Sequence, residues 1–513
     1  MKKILIYFII SLLGFDSLAQ SHFTVQDNST SVTILPSGTT FYRPSTVNNQ
    51  VNTAFGRNAL NPATAGQINT AIGMSSMRAN TTGYGNTAVG HASLLSNTSG
   101  GNNVAIGTSA MYFNTTGGSN AALGFGALQN NTIGSFNVAI GKEALNVNTV
   151  DGNVGIGYQA LSDNTTGIYN VANGFNALSA NTTGSQNIAV GYQAMLLNTT
   201  GSNNIVVGFK ALAAALTGSN NIALGNETLS SSSGGNNIAI GSRALTSNTS
   251  GNGNIATGIE SLTSNSTGIL NMAYGNYTLH QNTTGMFNNA FGNMVLRYNT
   301  TGSYNVGIGN SALNANTTGT GNVGLGGSAL TTNTTGYGNV GLGGEALRQN
   351  STGNNNVAIG SQAGYNELGS NKLYIENTTS SSPLIGGDFT NDIVGINMNV
   401  SSLATNSDGK LQVNGNVRIS GSINASTVLF SSSITLSNAH YKLIYTGPGP
   451  GDLVTLPSPS GIVGREYLII NHGTGSLQMS LVFKTGASST YQYVLPGNTL
   501  YLISDGTDWR KIN

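Results

Sequence analysis

Asn103-Val104-Ala105-Ile106-Gly107 is the stretch on which the reading of this chain turns, because the chain returns to it, slightly altered, from Asn52 to Gly360. Marked by its closing glycine, the series has nineteen members, running from Gly56 through Gly107 and Gly208 to Gly360. Sixteen of the eighteen intervals are seventeen residues, and the two ending at Gly157 and Gly241 are sixteen. A period this strict belongs to stacked-repeat architectures, in which one unit cannot bury its apolar face alone.

One unit reads N-V-A-I-G-x-x-A-L-x-x-N-T-T-G-x-x. Its second and fourth positions alternate with the period of a strand that buries one face. The fourth is large and apolar in most units (Ile72, Ile106, Leu123, Ile140, Phe291, Leu342), with Asn173 and Thr257 as exceptions, and is expected to form a continuous internal column. Leu or Met stands four residues after the glycine in eighteen units, and Gly364 takes that place in the nineteenth, where the array is expected to stop. Two glycines and an Asn-Thr-Thr group per unit would break a helix at every pass. The reading is therefore all-β: a β-solenoid, specifically a parallel β-roll of 17-residue coils, about nineteen of them, each with two short strands and two turns. At ~4.8 Å per coil the rod would be about 90 Å long.

The Asn that opens the unit is present in all nineteen; Asn103, Asn137, Asn170, Asn204, Asn237, Asn271, Asn305 and Asn339 are examples. At a fixed corner such residues are expected to bond their copies above and below, as stacked amides do in cross-β arrays. The glycines after the second Asn are expected to supply a positive φ. The third position is Ala in fourteen units and Gly in four, a stripe of small side chains on the face opposite the expected core. It would permit close approach by another subunit or by the second sheet of the same roll.

Of 513 residues only 7% are charged, and the net charge is +1 with no basic cluster, so nucleic acid and anionic membranes are not indicated as partners. There is no Cys, which excludes disulfide staples and thiolate metal sites. Lys2 and Lys3, the apolar run Ile4 to Phe15 and Ser17-Leu18-Ala19 have the three parts of a secretory signal peptide over residues 1–19, cleaved after Ala19. Secretion or display at the cell surface is the expected location, with no membrane-spanning segment after cleavage. A polar cap over 20–51 should precede the rod at 52–364. A connector at 365–425 follows, with a strand pair from Lys410 to Ile419, and then a small β domain at 426–513 in which Trp509 anchors the core.

The N-V-A-I-G cores and their Asn column, over about residues 52 to 363, resemble the head repeats of trimeric autotransporter adhesins, although the period here is seventeen residues rather than fourteen. The resemblance implies left-handed parallel β-roll coils, a homotrimer, and adhesion to a host surface or glycan. Lys372 to Ile419 is similar to connectors of bacterial surface proteins and phage tail fibres. The family's coiled-coil stalk and membrane barrel have no counterpart, so self-translocation does not carry over.

No catalytic residues, cofactor or metal are expected. His22, His91, His280, His440 and His472 lack ligand spacing, and Glu143, Asp163, Glu227, Glu260 and Glu345 are spread along the rod. Phe125, Tyr158, Phe175, Tyr192 and Phe209 follow the motif glycine in nearly consecutive coils, interrupted by Lys142, and should line up as an aromatic stripe. Such a stripe suits sugar rings or a hydrophobic partner, or simply covers the neighbouring turns. Stacked Thr pairs raise ice binding as a second class. The expected function is an exported, non-enzymatic, adhesin-like fibre, with a purely structural or ice-binding rod as the alternative.

Overall fold

The computed structural model describes the strands Phe23–Thr24 and Thr33–Ile34, residues 52–61, 64–405 and 410–416, and most of 427–512. The expected signal peptide, residues 1–19, lies outside the described residues. So does the cap, apart from that antiparallel pair, and so does the second half of the Lys410–Ile419 strand pair. Two compact units divide the chain between Gly415 and Asn416.

The first unit contains a parallel β-solenoid. Nineteen three-residue strands, from Thr53–Phe55 to Val357–Ile359, pair with their sequence neighbours. Residues one unit apart are direct partners: Val104 with Ala121, Ala105 with Ala122, Ile106 with Leu123. Each coil has one regular strand rather than the two expected. Its remaining sides are turns, yet they are tied to the next coil by equally regular bonds. Met111 N–H donates to Ala127 O at 2.9 Å, Phe113 N–H to Gln129 O at 2.9 Å and Thr115 N–H to Thr132 O at 2.8 Å. The chain turns by placing two nearby residues in the left-handed region, Ser109 at φ 56° and Met111 at φ 52°, a conformation that is costly for side chains larger than Gly. Its recurrence in successive coils is consistent with the inter-coil bonds holding it in place.

The inside and outside of the strand are the reverse of expectation. The third-position Ala is fully buried in Ala71, Ala105, Ala139 and Ala189, whereas Val104 is 41% exposed, Ile106 37% and Leu123 47%. Ile106, Leu123 and Ile140 do form a continuous column, but on the outer surface. The small stripe faces the interior of its own roll. A Cβ on Gly155 would lie 3.1 Å from Leu145 Cγ and 2.9 Å from Ala160 O. A coil therefore has room inside for two small residues, one Leu or Met and two Asn, and no room for an Ile column as well.

The glycines also differ from expectation. Gly107, which ends the strand, has φ 131°, and a Cβ there would sit 2.5 Å from Gly124 O, so this position needs glycine on both counts. Gly117, which closes the NTTG turn, is not in the positive-φ region. It is required by space alone, since a Cβ would meet Gly134 O at 2.3 Å and Asn114 Oδ1 at 2.5 Å.

The parallel stacking continues past Gly364 for one rung, Lys372–Ile375 on Val357–Ile359, and then reverses into the antiparallel strands Ile385–Asp388 and Ile393–Ile396. The second unit is a mixed sheet with its own core of Leu443, Tyr445, Tyr467, Ile469, Leu502 and Trp509. Trp509 is buried and donates its indole N–H to Pro457 O at 2.9 Å.

Candidate functional site

Asn103, Asn137, Asn170, Asn204, Asn237, Asn271, Asn305 and Asn339 are completely buried. Each main-chain N–H donates to the Oδ1 of the opening Asn one coil earlier, at 2.8–3.1 Å. In seven of the eight, Nδ2 donates to the carbonyl of the glycine closing the second turn of the same coil, at 2.7–3.0 Å. Asn137, in a sixteen-residue coil, uses Val150 O at 2.8 Å instead. A second buried ladder runs through the turn Asn: Asn114 Nδ2 donates to Asn97 Oδ1 at 2.8 Å and to Gly117 O at 3.0 Å. These amides satisfy backbone groups that water cannot reach inside the coil. Because the NTTG asparagines are buried and bonded, their N-x-T sequons offer no accessible amide in the folded rod.

The aromatic residues after the motif glycine are brought together. Tyr158 and Phe175 stack with ring centroids 5.0 Å apart, Phe175 and Tyr192 at 5.4 Å, and Tyr192 and Phe209 at 5.3 Å, with planes within 15° of parallel. Lys142 does not interrupt the ladder so much as complete it, lying 5.9 Å from the Phe125 centroid and 5.6 Å from that of Tyr158, while Lys210 covers Phe209 at 5.3 Å. All three are cation–π distances. The ring faces between Phe125 and Phe209 are therefore occupied by neighbouring rings or by ammonium groups, and along that stretch the ladder presents ring edges to solvent. A sugar that stacks on a ring face finds few faces here; a flat apolar partner finds a ridge. Two further stacks, Tyr274 on Phe291 at 5.0 Å and Phe287 on Tyr304 at 5.0 Å, were not singled out from the sequence. Their seventeen-residue spacing was the available signal.

Beside these lies a second surface. The outward columns at the second and fourth positions run along the strand of every coil, dominated by Val, Ile and Leu. With nineteen coils at ~4.8 Å and a strand about 10 Å wide, this face covers about 900 Å². That exceeds the ~300–600 Å² of the largest apolar patch on a typical monomer.

Three of the five dispersed acids are paired with a residue one coil away. Glu143 accepts from Gln159 Nε2 at 2.8 Å, Glu260 pairs with Arg243 at 3.1 Å, and Glu345 accepts from Gln362 Nε2 at 2.8 Å. Among the described residues no group of three His, Cys, Asp or Glu is placed to hold a metal. No described helix is long and apolar enough to cross a membrane. The first Thr of the NTTG turns spends its hydroxyl on a carbonyl of the next coil, as Thr115 Oγ1 does on Thr132 O at 2.8 Å, whereas the second, such as Thr116, is exposed. A cavity of about 320 Å³ beside the last parallel rung is lined by Glu367, Tyr374, Ser381 and Asn399. Burial, then the hydrogen bond and charge of Glu367, push the Tyr374 phenol far above its ordinary pKa.

The chain matches no family model, and no curated protein shows significant similarity to it.

Proposed function

We propose that this chain is an exported, non-enzymatic fibrous surface protein of adhesin-like character. Its rods associate side by side as a homotrimer through the outward Val/Ile columns, and its aromatic ladder contacts a cell-surface or glycan partner. The observation that carries this reading is the apolar face of about 900 Å², which is close to the ~800 Å² per partner of a standard protein interface. A face of that size left in water would be an aggregation liability, and burial against copies of itself removes it. The stacked geometry favours contact along the ridge of ring edges over insertion of a ring between two faces.

Sedimentation of residues 21–513 tests the assembly: a trimer mass is expected, and a monomer at micromolar concentration overturns it. Replacing Phe175 and Tyr192 together by Ser should lower binding to cells or immobilised glycans. Unchanged binding by a correctly assembled variant rejects the ladder as the contact.

A further inference from the structure

The outward face is not uniformly apolar, and its polar interruptions are few and unevenly placed. At the fourth position Asn173 and Thr257 break the column; at the second position Asn289 does, and Thr53, Thr70 and Thr87 occupy the first three coils. Asn173 is exposed and Asn289 is half-buried on this face, each flanked along its column by apolar residues: Ile156 and Val190 for Asn173, Met272 and Val306 for Asn289.

We propose that Asn173 and Asn289 fix copies of this chain parallel and in register, each amide meeting the same residue of the neighbouring copy. This rests on the side-by-side association proposed above. An Asn amide both donates and accepts, so it can pair with its own copy around a shared axis. In any other arrangement it is pressed against hydrocarbon. Antiparallel copies with full overlap would place Asn173 opposite Ile238 and Ile240, Asn289 opposite Ala121 and Leu123, and the Thr-bearing first coils opposite Val323, Val340 and Val357. A slip of one coil would set Asn173 against Ile156 or Val190. Burying an amide without a partner is strongly disfavoured, and a single polar residue in an apolar seam is an established way to specify register. The repeat needs such a device, because otherwise every one-coil slip offers nearly the same apolar contact.

The absence of Cys makes the test clean. Single variants Ile106→Cys, Leu123→Cys and Ile308→Cys of the full mature chain, alone and mixed in pairs, are treated with the shortest bis-maleimide and the products identified by mass spectrometry. All three sites are on the outer face, so folding should be retained, and circular dichroism checks this. The Ile106 self-product should exceed the offset Ile106/Leu123 product by at least about tenfold, and the ratio should fall towards unity when Asn173→Val and Asn289→Val are added. Dominance of the Ile106/Ile308 product means antiparallel copies and overturns the proposal. Equal self- and offset products in the native background overturn it too, as does an unchanged ratio in the double Val variant. A monomer by sedimentation overturns the association itself, and register with it; associated but out-of-register copies sink register alone.

Discussion

The two Asn ladders are cross-braced, and the coil that carries Ala215 lacks the turn Asn, which makes a quantitative prediction possible. Asn187 and Asn204 open adjacent coils, and both are fully buried. Replacing Asn187 by Ala removes the acceptor of Asn204 N–H, now at 3.1 Å, and one of two donors to Gly201 O. The other donor, Asn198 Nδ2 at 3.1 Å, remains. Replacing Asn204 by Ala removes the acceptor of Asn221 N–H at 2.9 Å and also the side-chain amide bonded to Gly218 O at 2.9 Å. No Asn brace stands behind this one, because Ala215 occupies the turn position. With about 1–3 kcal/mol for each buried backbone group left without a partner, Asn187→Ala, which orphans one, should cost about 1–3 kcal/mol and Asn204→Ala, which orphans two, about 2–6 kcal/mol. A long repeat array does not unfold in two states, so the readout is hydrogen exchange of peptides spanning 204–221, resolved by mass spectrometry. Exchange in Asn204→Ala should be about tenfold or more faster than in Asn187→Ala. Equal effects in the two variants would refute the cross-bracing, and no effect in either would refute the role of the ladder.

Other consequences follow from the side of the strand that faces inward. Leu145→Ala removes a fully buried side chain and should cost about 2–5 kcal/mol, whereas Ile140→Ala, on the outer face, should change the stability of its coil by under about 1 kcal/mol while weakening association. Thermal melts paired with sedimentation separate the two effects. Gly107→Ala forces a Cβ to 2.5 Å from Gly124 O at φ 131°, and should cost about 3–5 kcal/mol by local hydrogen exchange. Gly307→Ala meets only Val295 Cγ1, at 2.4 Å, so Val295→Ala should rescue it; a double mutant no better than the sum of the singles would exclude direct contact as the cause. Burial alone would raise the Asp388 pKa, but bonds from Lys372, Asn391 and Thr390 N–H outweigh it and hold the carboxyl below its ordinary value. Its stabilising contribution is therefore present above the unfolded carboxylate value of about 3.9 and is lost as pH falls through the lower folded value. Asp388→Asn should flatten that acid limb, measured by exchange at the last rungs.

The seventeen-residue spacing also has a consequence for how function is distributed. Any residue type repeated at one position becomes a column, so chemistry here comes as stripes: buried amides, outward aliphatics, stacked rings. Substituting one member weakens a stripe without abolishing it, and local readouts are more informative than whole-chain melting.

By itself the sequence determined the coil, its length and the vertical neighbours, because a spacing of seventeen between Asn103, Asn120 and Asn137 can repeat so strictly only if equivalent residues stack. It also made the aromatic ladder legible, since Phe175, Tyr192 and Phe209 share a position. Which side of the strand is inside was decided only by the tertiary structure. Alternation separates Val104 and Ile106 from Ala105 but does not say which set is buried, and size suggested the larger pair. The coil interior already holds Met111, Ala110, Asn103 and Asn114, all fully buried. A seventeen-residue circuit has too little volume for an Ile column as well. The small residue goes in because space inside is scarce, and the large ones stay outside.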